Sequence, residues 1–388
     1  MTGTTENIQE LAQQAFSTLQ SGKNQQAREI FEGLVSSGRA DATIVLGLAH
    51  ACFRLEDKTS ALAAVDSALE MEPTNLRVLL FKADFLEQDG QSRSALEYYQ
   101  HALALAANHT EMTEDVKQGL QRAEQACARK DREYKTFLEA KLKDDGYKPS
   151  RSNLRFQQSI DLIFGEKEVF YQEPRRYYYP GLPQIQFYER EQFAWLNEME
   201  ASADKIRNEL TEVLAQPETF SPYLQADSNH LGRYDDGLLN SEDWSALYLW
   251  EHGKLIKENA QLFPQTIEAL KLAPLPEIRG QAPMALFSKL KAETHIPPHN
   301  GVLNTRLICH LPIIVPERCG ALRVGNEERR WHEGETLIFD DSIQHEAWNH
   351  SKEERVVLLF EIWRPELNEE ERELVTLLLA AVKEYHHD

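Results

Sequence analysis

The sequence of 388 residues predicts a multidomain α and β chain: an N-terminal all-α solenoid, then a double-stranded β-helix, or jelly roll, with flanking helices. Two observations predict this fold class. Alanines recur at a fixed spacing in the first third of the chain, and beyond Pro274 apolar residues gather into short β-rich runs separated by turn signals. The segment KDDGYKPSRSN at 143–153 combines glycine, proline, serine and charge, which indicates a linker. We therefore predict domains at 1–145 and 150–388.

The first domain contains an internal repeat in which a small residue and a bulky residue keep the same period: Ala15, Ala49, Ala83 and Phe31, Val65, Tyr99. Small residues let two helices cross closely, and the bulky residue fills the gap to the next copy, so the period predicts helix–turn–helix units. The pattern resembles three tetratricopeptide repeats near 8–41, 42–75 and 76–109, followed by a capping helix; an unrelated helical bundle is the alternative. Such repeats bind a peptide or protein partner in a groove, or self-associate, and the sequence leaves both open.

Composition and charge exclude several classes of function. The formal net charge is −21, and because phosphate binding needs a basic face, no nucleic-acid partner is expected. No stretch reaches the roughly 18 apolar residues of a membrane-spanning helix, so no membrane span is predicted. The four cysteines form neither a CxxC pair nor a disulfide framework, which predicts a cytoplasmic protein.

The second domain begins with a short helix, LRFQQSIDLIFG, and an aromatic, proline-rich run, RRYYYPGLPQIQFYERE. From Gln192 to about Leu272 the pattern predicts mainly helix. It is interrupted by the loop QADSNHLGRYDDGLLNSEDW, which either lines the entrance to a site or is an ordinary surface loop. The predicted strands that follow are MALFSKL, TRLICHLPIIV, ALRVG, ETLIFDD, HEAWNH and RVVLLFEIW. A terminal helix begins at Asn368, with Glu371 completing a capping box.

Three histidines of the strand region are candidates for a metal site: His299, His310 and His345. His299 and His345 each lie at the end of a predicted strand beside a loop, where an open metal site on a jelly roll is expected. Two histidines and one carboxylate are the usual ligands of non-haem iron. The usual carboxylate position, two residues after the first histidine, is Gly301 in this chain.

Neighbouring polar residues have simpler interpretations. His295 lies four residues before the first candidate histidine, but the intervening prolines exclude a regular helix, so we predict a loop residue. Asp340 and Asp341 either hydrogen-bond a ligand histidine or cap the turn before the last candidate strand end, and we predict the turn.

The stretch from HIPPHNG to RPEL, together with YYYPGLPQIQFYERE upstream, resembles the catalytic domain of the aspartyl/asparaginyl β-hydroxylase family over roughly residues 150–370. That family binds iron with two histidines and has a glycine where the carboxylate is otherwise found. Gly301 therefore matches the glycine of this family, although it departs from the general motif of two histidines and one carboxylate. The resemblance implies that His299 and His345 are the Fe(II) ligands.

The resemblance also implies a 2-oxoglutarate site. Arg355 and Ser288 are expected to hold the distal carboxylate of the cosubstrate, and His310 to line its pocket. The chain departs from some family members at Ile308, where they have an arginine. Arg306 lies one strand period earlier and faces the same side, so it either contacts the cosubstrate or forms a structural salt bridge.

The function that the resemblance implies is that of an Fe(II)- and 2-oxoglutarate-dependent dioxygenase. The expected reaction is hydroxylation of the β-carbon of Asp or Asn in a peptide or protein, with release of succinate and CO2. Related enzymes hydroxylate lipids or small molecules, so the fold leaves the substrate open. The alternative is a repeat-based protein-interaction module whose barrel is inert or acts as a sensor.

Overall fold

The computed structural model describes residues 2–109, 111–150, 154–215, 219–225 and 238–385. The chain divides into two compact units, Met1–Ile160 and Asp161–Asp388. This division falls inside a helix, and the domain bounds 1–145 and 150–388 stay a prediction. Most of the loop that follows Gln225 lies outside the described residues, so the two interpretations of that loop also stay open. No helix in the described ranges is long and apolar enough to cross a membrane.

The first unit is helical, as predicted, and its helices pack as consecutive pairs. The alanines that define the period are fully buried, because they lie where paired helices cross. Asp41, Asp57 and Asn75 begin three of the helices by accepting hydrogen bonds from backbone N–H groups of the first turn. The helices are α1 Thr2–Gln20, α2 Asn24–Ser36, α3 Ala42–Arg54, α4 Lys58–Met71, α5 Leu76–Gln88, α6 Ser92–Ala106, α7 Glu114–Asp144 and, across the division, α8 Leu154–Ile163.

The second unit is built on two antiparallel sheets. The larger sheet has the strand order β1-β10-β7-β12-β5-β3-β2, with β4 paired to β3, and the smaller has the order β6-β11-β8-β9. The strands are β1 Phe187–Tyr188, β2 Ser221–Pro222, β3 Trp244–Glu251, β4 Lys254–Leu255, β5 Ala285–Leu290, β6 Thr294–His299, β7 Arg306–Ile314, β8 Ala321–Val324, β9 Glu327–Arg330, β10 Leu337–Phe339, β11 His345–Asn349 and β12 Arg355–Trp363.

Apolar residues of both sheets share one core, which includes Leu290, Ile308, Leu322 and Ala347. The opposite face of the larger sheet is covered by helices, so its central strands are buried on both sides. The capping box at Asn368 is present, since Asn368 and Glu371 exchange backbone-to-side-chain hydrogen bonds of 2.9 Å. The helices of this unit are α9 Leu196–Glu200, α10 Ala203–Leu214, α11 Lys257–Ala260, α12 Pro264–Leu270 and α13 Glu369–Tyr385.

Two expectations about local structure are wrong. The strand β3 covers Trp244–Glu251, and its residues after Trp244 belong to a region that we expected to be mainly helical. Its run of apolar residues lacks the alternation of a half-exposed strand because it is largely buried on both faces. His295 is not a loop residue: it lies in β6 opposite Trp348, where its Nε2 is 2.7 Å from an oxygen of Glu346.

Candidate functional site

The two candidate iron-binding histidines are neighbours in the smaller sheet. β6 and β11 run antiparallel, and His345 is the register partner of His299. The centroids of the two imidazole rings lie 4.1 Å apart. Strand pairing therefore brings together side chains that are far apart in the sequence, at the ends of two adjacent strands.

Backbone carbonyls determine the tautomer of both rings. The Nδ1 atom of His299 lies 2.8 Å from the carbonyl oxygen of Pro297, and that of His345 lies 3.0 Å from the carbonyl oxygen of Ile343. A carbonyl oxygen only accepts, so each Nδ1 carries a hydrogen, and in the neutral ring Nε2 carries the lone pair. Burial lowers the pKa of His345 well below its ordinary value, which keeps the ring neutral. Neutral imidazoles oriented by a backbone carbonyl are typical metal ligands.

A carboxylate lies beside the histidines although position 301 supplies none. A Cβ added to Gly301 would overlap the carboxylate of Asp341. The backbone N–H of Gly301 also donates to the carbonyl oxygen of Asp341 at 2.6 Å. Asp341 is therefore more than the turn residue we predicted, whereas Asp340 caps the turn by accepting from the backbone N–H of Ser342 at 3.0 Å.

Arg306 is held between two buried carboxylates. One guanidinium nitrogen lies 3.2 Å from Asp341 Oδ2, and another donates to Glu361 at short range. Burial opposes the charged form, but the attraction of Glu361 and Asp341 outweighs it and raises the pKa of Arg306. These ion pairs are the structural salt bridge that was one of our two expectations for Arg306; contact with the cosubstrate stays a prediction.

Arg355 is a buried cation that forms no ion pair with any of the described residues. Its side chain is 1% exposed at the start of β12, with the guanidinium carbon 4.6 Å from the ring centroid of Trp331. Its Nε and Nη1 atoms have no hydrogen-bond partner among the described residues. Burial lowers the pKa of Arg355 to about 10, so the group stays charged at neutral pH. A buried guanidinium with open donors is suited to a carboxylate ligand.

Ser288 and His310 lie near Arg355 on neighbouring strands of the larger sheet. Ser288 is buried on β5, and its Oγ accepts a hydrogen bond from the indole of Trp244 at 3.2 Å. His310 is buried on β7, and its Nδ1 has no partner among the described residues. Burial and the positive charge of Arg355 lower the pKa of His310 to about 3, which keeps this ring neutral.

All six predicted site residues line one cavity of about 440 Å³. Among the described residues that line it, sequence analysis missed Trp244, Tyr223, Arg175 and Arg176. Tyr223 stacks on Trp244 with ring centroids 4.1 Å apart, and Trp244 lies 6.3 Å from the ring of His299. The adjacent arginines in RRYYYPGL were the visible signal, but no local pattern relates that segment to the strand ends.

The donor atoms suit ferrous iron. Two imidazoles whose Nδ1 atoms face backbone carbonyls, beside a buried carboxylate, are the ligand types expected for a non-haem iron centre with open positions. No group of three or more His, Cys, Asp or Glu residues within the described ranges forms a complete metal cage. The ligand set that the described residues offer is therefore the histidine pair, with Asp341 next to it.

Two family models match parts of this chain. Residues 200–365 match the family model described as aspartyl/asparaginyl beta-hydroxylase, and residues 76–109 match the tetratricopeptide repeat. Human aspartyl/asparaginyl beta-hydroxylase is 34% identical over 139 residues, which are 36% of this chain and 18% of the human protein. The ornithine lipid ester-linked acyl 2-hydroxylase of Rhizobium tropici is 33% identical over 180 residues, which are 46% of this chain and 60% of that protein.

The chain thus spans less than two thirds of the length of each of these curated relatives. Among solved structures, the type III secretion translocator chaperone SycD of Yersinia enterocolitica is similar in fold. It covers 33% of this chain and 88% of its own, at 24% identity and a TM-score of 0.30. This similarity is too weak to support an inference about partners.

Proposed function

We propose that the chain is an Fe(II)- and 2-oxoglutarate-dependent hydroxylase. The match of residues 200–365 to the aspartyl/asparaginyl β-hydroxylase family model supports this proposal. The observation that carries the proposal is a buried arginine with open donors in the same cavity as the paired histidines His299 and His345. Such a cavity is suited to a metal cation beside the histidines and to a carboxylate beside the arginine. 2-Oxoglutarate combines both demands, because its keto-acid end chelates a metal and its other end is a carboxylate.

Each residue has a distinct role in this proposal. His299 and His345 would hold the iron through Nε2, while Arg355 and Ser288 would bind the distal carboxylate of 2-oxoglutarate. His310, kept neutral by burial, lines the cosubstrate pocket. When bound, iron and 2-oxoglutarate together supply the oxidation of a substrate C–H bond by dioxygen, with succinate and CO2 as coproducts. The protein positions the reactants, balances their charges and excludes water from the cavity.

The proposed substrate is an Asp or Asn side chain of a peptide or protein, hydroxylated at its β-carbon. The tetratricopeptide repeats support a polypeptide substrate, because repeats of this kind commonly bind peptides or proteins. The Rhizobium relative is named for an acyl chain of a lipid, so a lipid is the second candidate substrate. We also propose that the repeats self-associate and that the protein is cytoplasmic.

The experiment is an anaerobic titration of the full chain with Fe(II) and 2-oxoglutarate, followed by the weak visible metal-to-ligand charge-transfer band of the chelated cosubstrate. We expect the band in the wild type and its loss in His299→Ala and His345→Ala. His295→Ala is the matched control, because this exposed histidine lies on the same strand as His299 but does not line the cavity. It should retain the band.

A wild type without the band would reject the proposal and leave an interaction module with an inert barrel. A band without succinate formation in air, with or without added peptides, would instead favour a sensor. Succinate formation that rises with a peptide substrate, with a mass gain of one oxygen on that peptide, supports the hydroxylase.

A further inference from the structure

The terminal helix α13 has two apolar faces. Val375 and Leu379 are buried on its inner face, which packs on a cluster that includes Trp363 and Leu367. Its outer face carries five large apolar residues that expose between 44% and 81% of their surface: Leu374, Leu377, Leu378, Val382 and Tyr385. The packing of the helix on its own unit therefore explains only the inner face.

The five exposed residues form one stripe along the helix. They follow one another at positions i, i+3, i+4, i+8 and i+11, a spacing that places side chains on one side of an α-helix. Contiguous apolar patches on the surface of a protein mark sites of association. A second amphipathic helix could bury this stripe in the way that helices pack side by side in a groove or a coiled coil.

The charged residues of α13 are divided between the same two faces. Arg372 and Lys383 are half-buried on the inner side: Arg372 donates to the carbonyl oxygen of Arg364 at 3.2 Å, and the side chain of Lys383 lies against Gly280. The exposed charged residues are all acidic: Glu369, Glu370, Glu373 and Glu384. Within the described residues of the helix, the outer face thus combines an apolar stripe with negative charge alone.

This sign of charge selects between classes of partner. A second copy of the chain would bring glutamates against glutamates, and the net charge of −21 adds repulsion between copies. Anionic lipid headgroups would be repelled in the same way, and helices that lie on membranes carry lysine or arginine beside their apolar stripe. A polypeptide helix with an apolar stripe and basic flanks is complementary to both features of this surface.

We propose that the outer face of α13 docks a basic amphipathic helix of a partner protein. The apolar side chains of that helix would cover the stripe, and its lysines or arginines would pair with Glu373 and Glu384. These two glutamates lie on the same flank of the stripe, because they are separated by about three helical turns. The surface includes neither of the paired histidines, so the inference does not depend on the proposed hydroxylase function.

The test uses fluorescein-labelled synthetic peptides of about 15 residues, a length at which an isolated helix is marginal in water. The first has leucines at the spacing of the stripe and lysines elsewhere, and the second has glutamates in place of the lysines. The third has the composition of the first, in an order that spreads the leucines around the helix. By fluorescence anisotropy with the full chain, we expect the first peptide to bind at least about tenfold more tightly than the other two.

The apolar part of the site is tested by Leu377→Asp/Leu378→Asp. This variant should bind the lysine peptide about tenfold or more weakly, because two exposed leucines no longer contribute apolar surface. An association driven by charge alone would instead be strengthened by the added carboxylates. Leu255→Asp/Leu262→Asp is the matched control, because these leucines are also exposed but lie outside α13; it should bind as the wild type does.

The charged part of the site is tested by Glu373→Lys/Glu384→Lys, which changes two exposed side chains. The preference should reverse, so that this variant binds the glutamate peptide more tightly than the lysine peptide. A preference for the lysine peptide that survives the reversal would contradict the role of the two glutamates.

Equal binding of the three peptides to the wild type, no binding of the lysine peptide, or the same loss in the leucine control would overturn the inference. A dimer in light scattering that Leu377→Asp/Leu378→Asp abolishes would also overturn it, because the stripe would then belong to a second copy. Binding of phosphatidylglycerol vesicles through the same leucines would overturn it in favour of a membrane surface.

Discussion

The carboxylate of Asp341 occupies the space that a side chain on Gly301 would need. The backbone N–H of Gly301 donates to the carbonyl oxygen of Asp341 at 2.6 Å, and the carboxylate of Asp341 forms an ion pair of 3.2 Å with Arg306. The carboxylate beside the two histidines is therefore supplied by the segment that precedes His345, and not by the strand of His299. Glycine at 301 is a steric requirement of this arrangement.

This relationship predicts the effect of a single methyl group. Gly301→Ala should destabilise the chain by about 1–3 kcal/mol, because the methyl group displaces the Asp341 carboxylate from its position against Arg306. The measurement is the urea midpoint of the full chain. In an Asp341→Gly background, which removes the obstructing carboxylate, the same change should cost less than about 1 kcal/mol. Equal costs in the two backgrounds would contradict the steric relationship.

Replacing Arg355 should not destabilise the ligand-free chain, but it should remove the stabilisation that bound 2-oxoglutarate provides. Its buried guanidinium has open donors, so Arg355→Met should leave the stability of the ligand-free chain unchanged or raise it by about 1–3 kcal/mol. In the wild type, 2-oxoglutarate at 100 times its Kd should add about 2.7 kcal/mol, and the variant should lose this gain. Thermal unfolding of the metal-loaded chain, with and without 2-oxoglutarate, measures both effects.

Arg364 is the matched control for Arg355. Its side chain is also fully buried, but it pairs with Asp340 at 2.8 Å, and Asp340 is equally inaccessible. Arg364→Met leaves that carboxylate buried without its partner and should cost about 3–5 kcal/mol. If the two methionine variants have the same stability, the distinction between an unpaired and a paired buried arginine does not hold.

The hydroxyl of Ser288 should matter for the cosubstrate and not for the fold. Ser288→Ala should raise the Kd of 2-oxoglutarate about two- to tenfold, since one hydrogen bond contributes roughly 0.5–1.5 kcal/mol. Ser245→Ala is the control: Ser245 is also buried, on β3, but its Oγ has no hydrogen-bond partner in the described part of the chain, and it is not one of the cavity residues. An equal change in both variants would count against a direct contact between Ser288 and the carboxylate.

The repeat domain should lose stability in mild acid through His50. Its ring lies 4.2 Å from the ring of Phe81, and burial is the main cause that lowers its pKa from 6.5 to about 4. Below pH 6.5 the unfolded chain takes up a proton at this position and the folded chain does not. Stability is therefore lost as the pH falls from 6.5 towards 4, by up to about 3 kcal/mol.

The measurement is the pH dependence of thermal unfolding for the wild type and for His50→Gln, which cannot titrate at this position. The difference between the two curves isolates His50 from the other histidines. The curves should converge as the pH falls from 7 to 4. Parallel curves would mean that His50 titrates normally in the folded chain.

Several elements were predictable because local periodicity specifies them. The alanine period locates the repeats, and the β-rich runs and turn signals after Pro274 locate six of the eight strands that follow it. The strand β3 was missed because a strand buried on both faces has no alternation to distinguish it from a buried helix. His295 was missed because its strand contains two prolines, which are tolerated where β6 lies at the edge of the smaller sheet.

By itself, the sequence determined the two kinds of domain, the repeat period and the identity of the candidate histidines, because these depend on spacing along the chain. Only the tertiary structure decided that His299 and His345 face each other and that Asp341 fills the place left by Gly301. It also decided that, among the described residues, carboxylates pair with Arg306 and none pairs with Arg355. The physical reason is that desolvation and charge pairing depend on which distant residues approach within a few ångströms, and strand pairing, not sequence spacing, sets those distances.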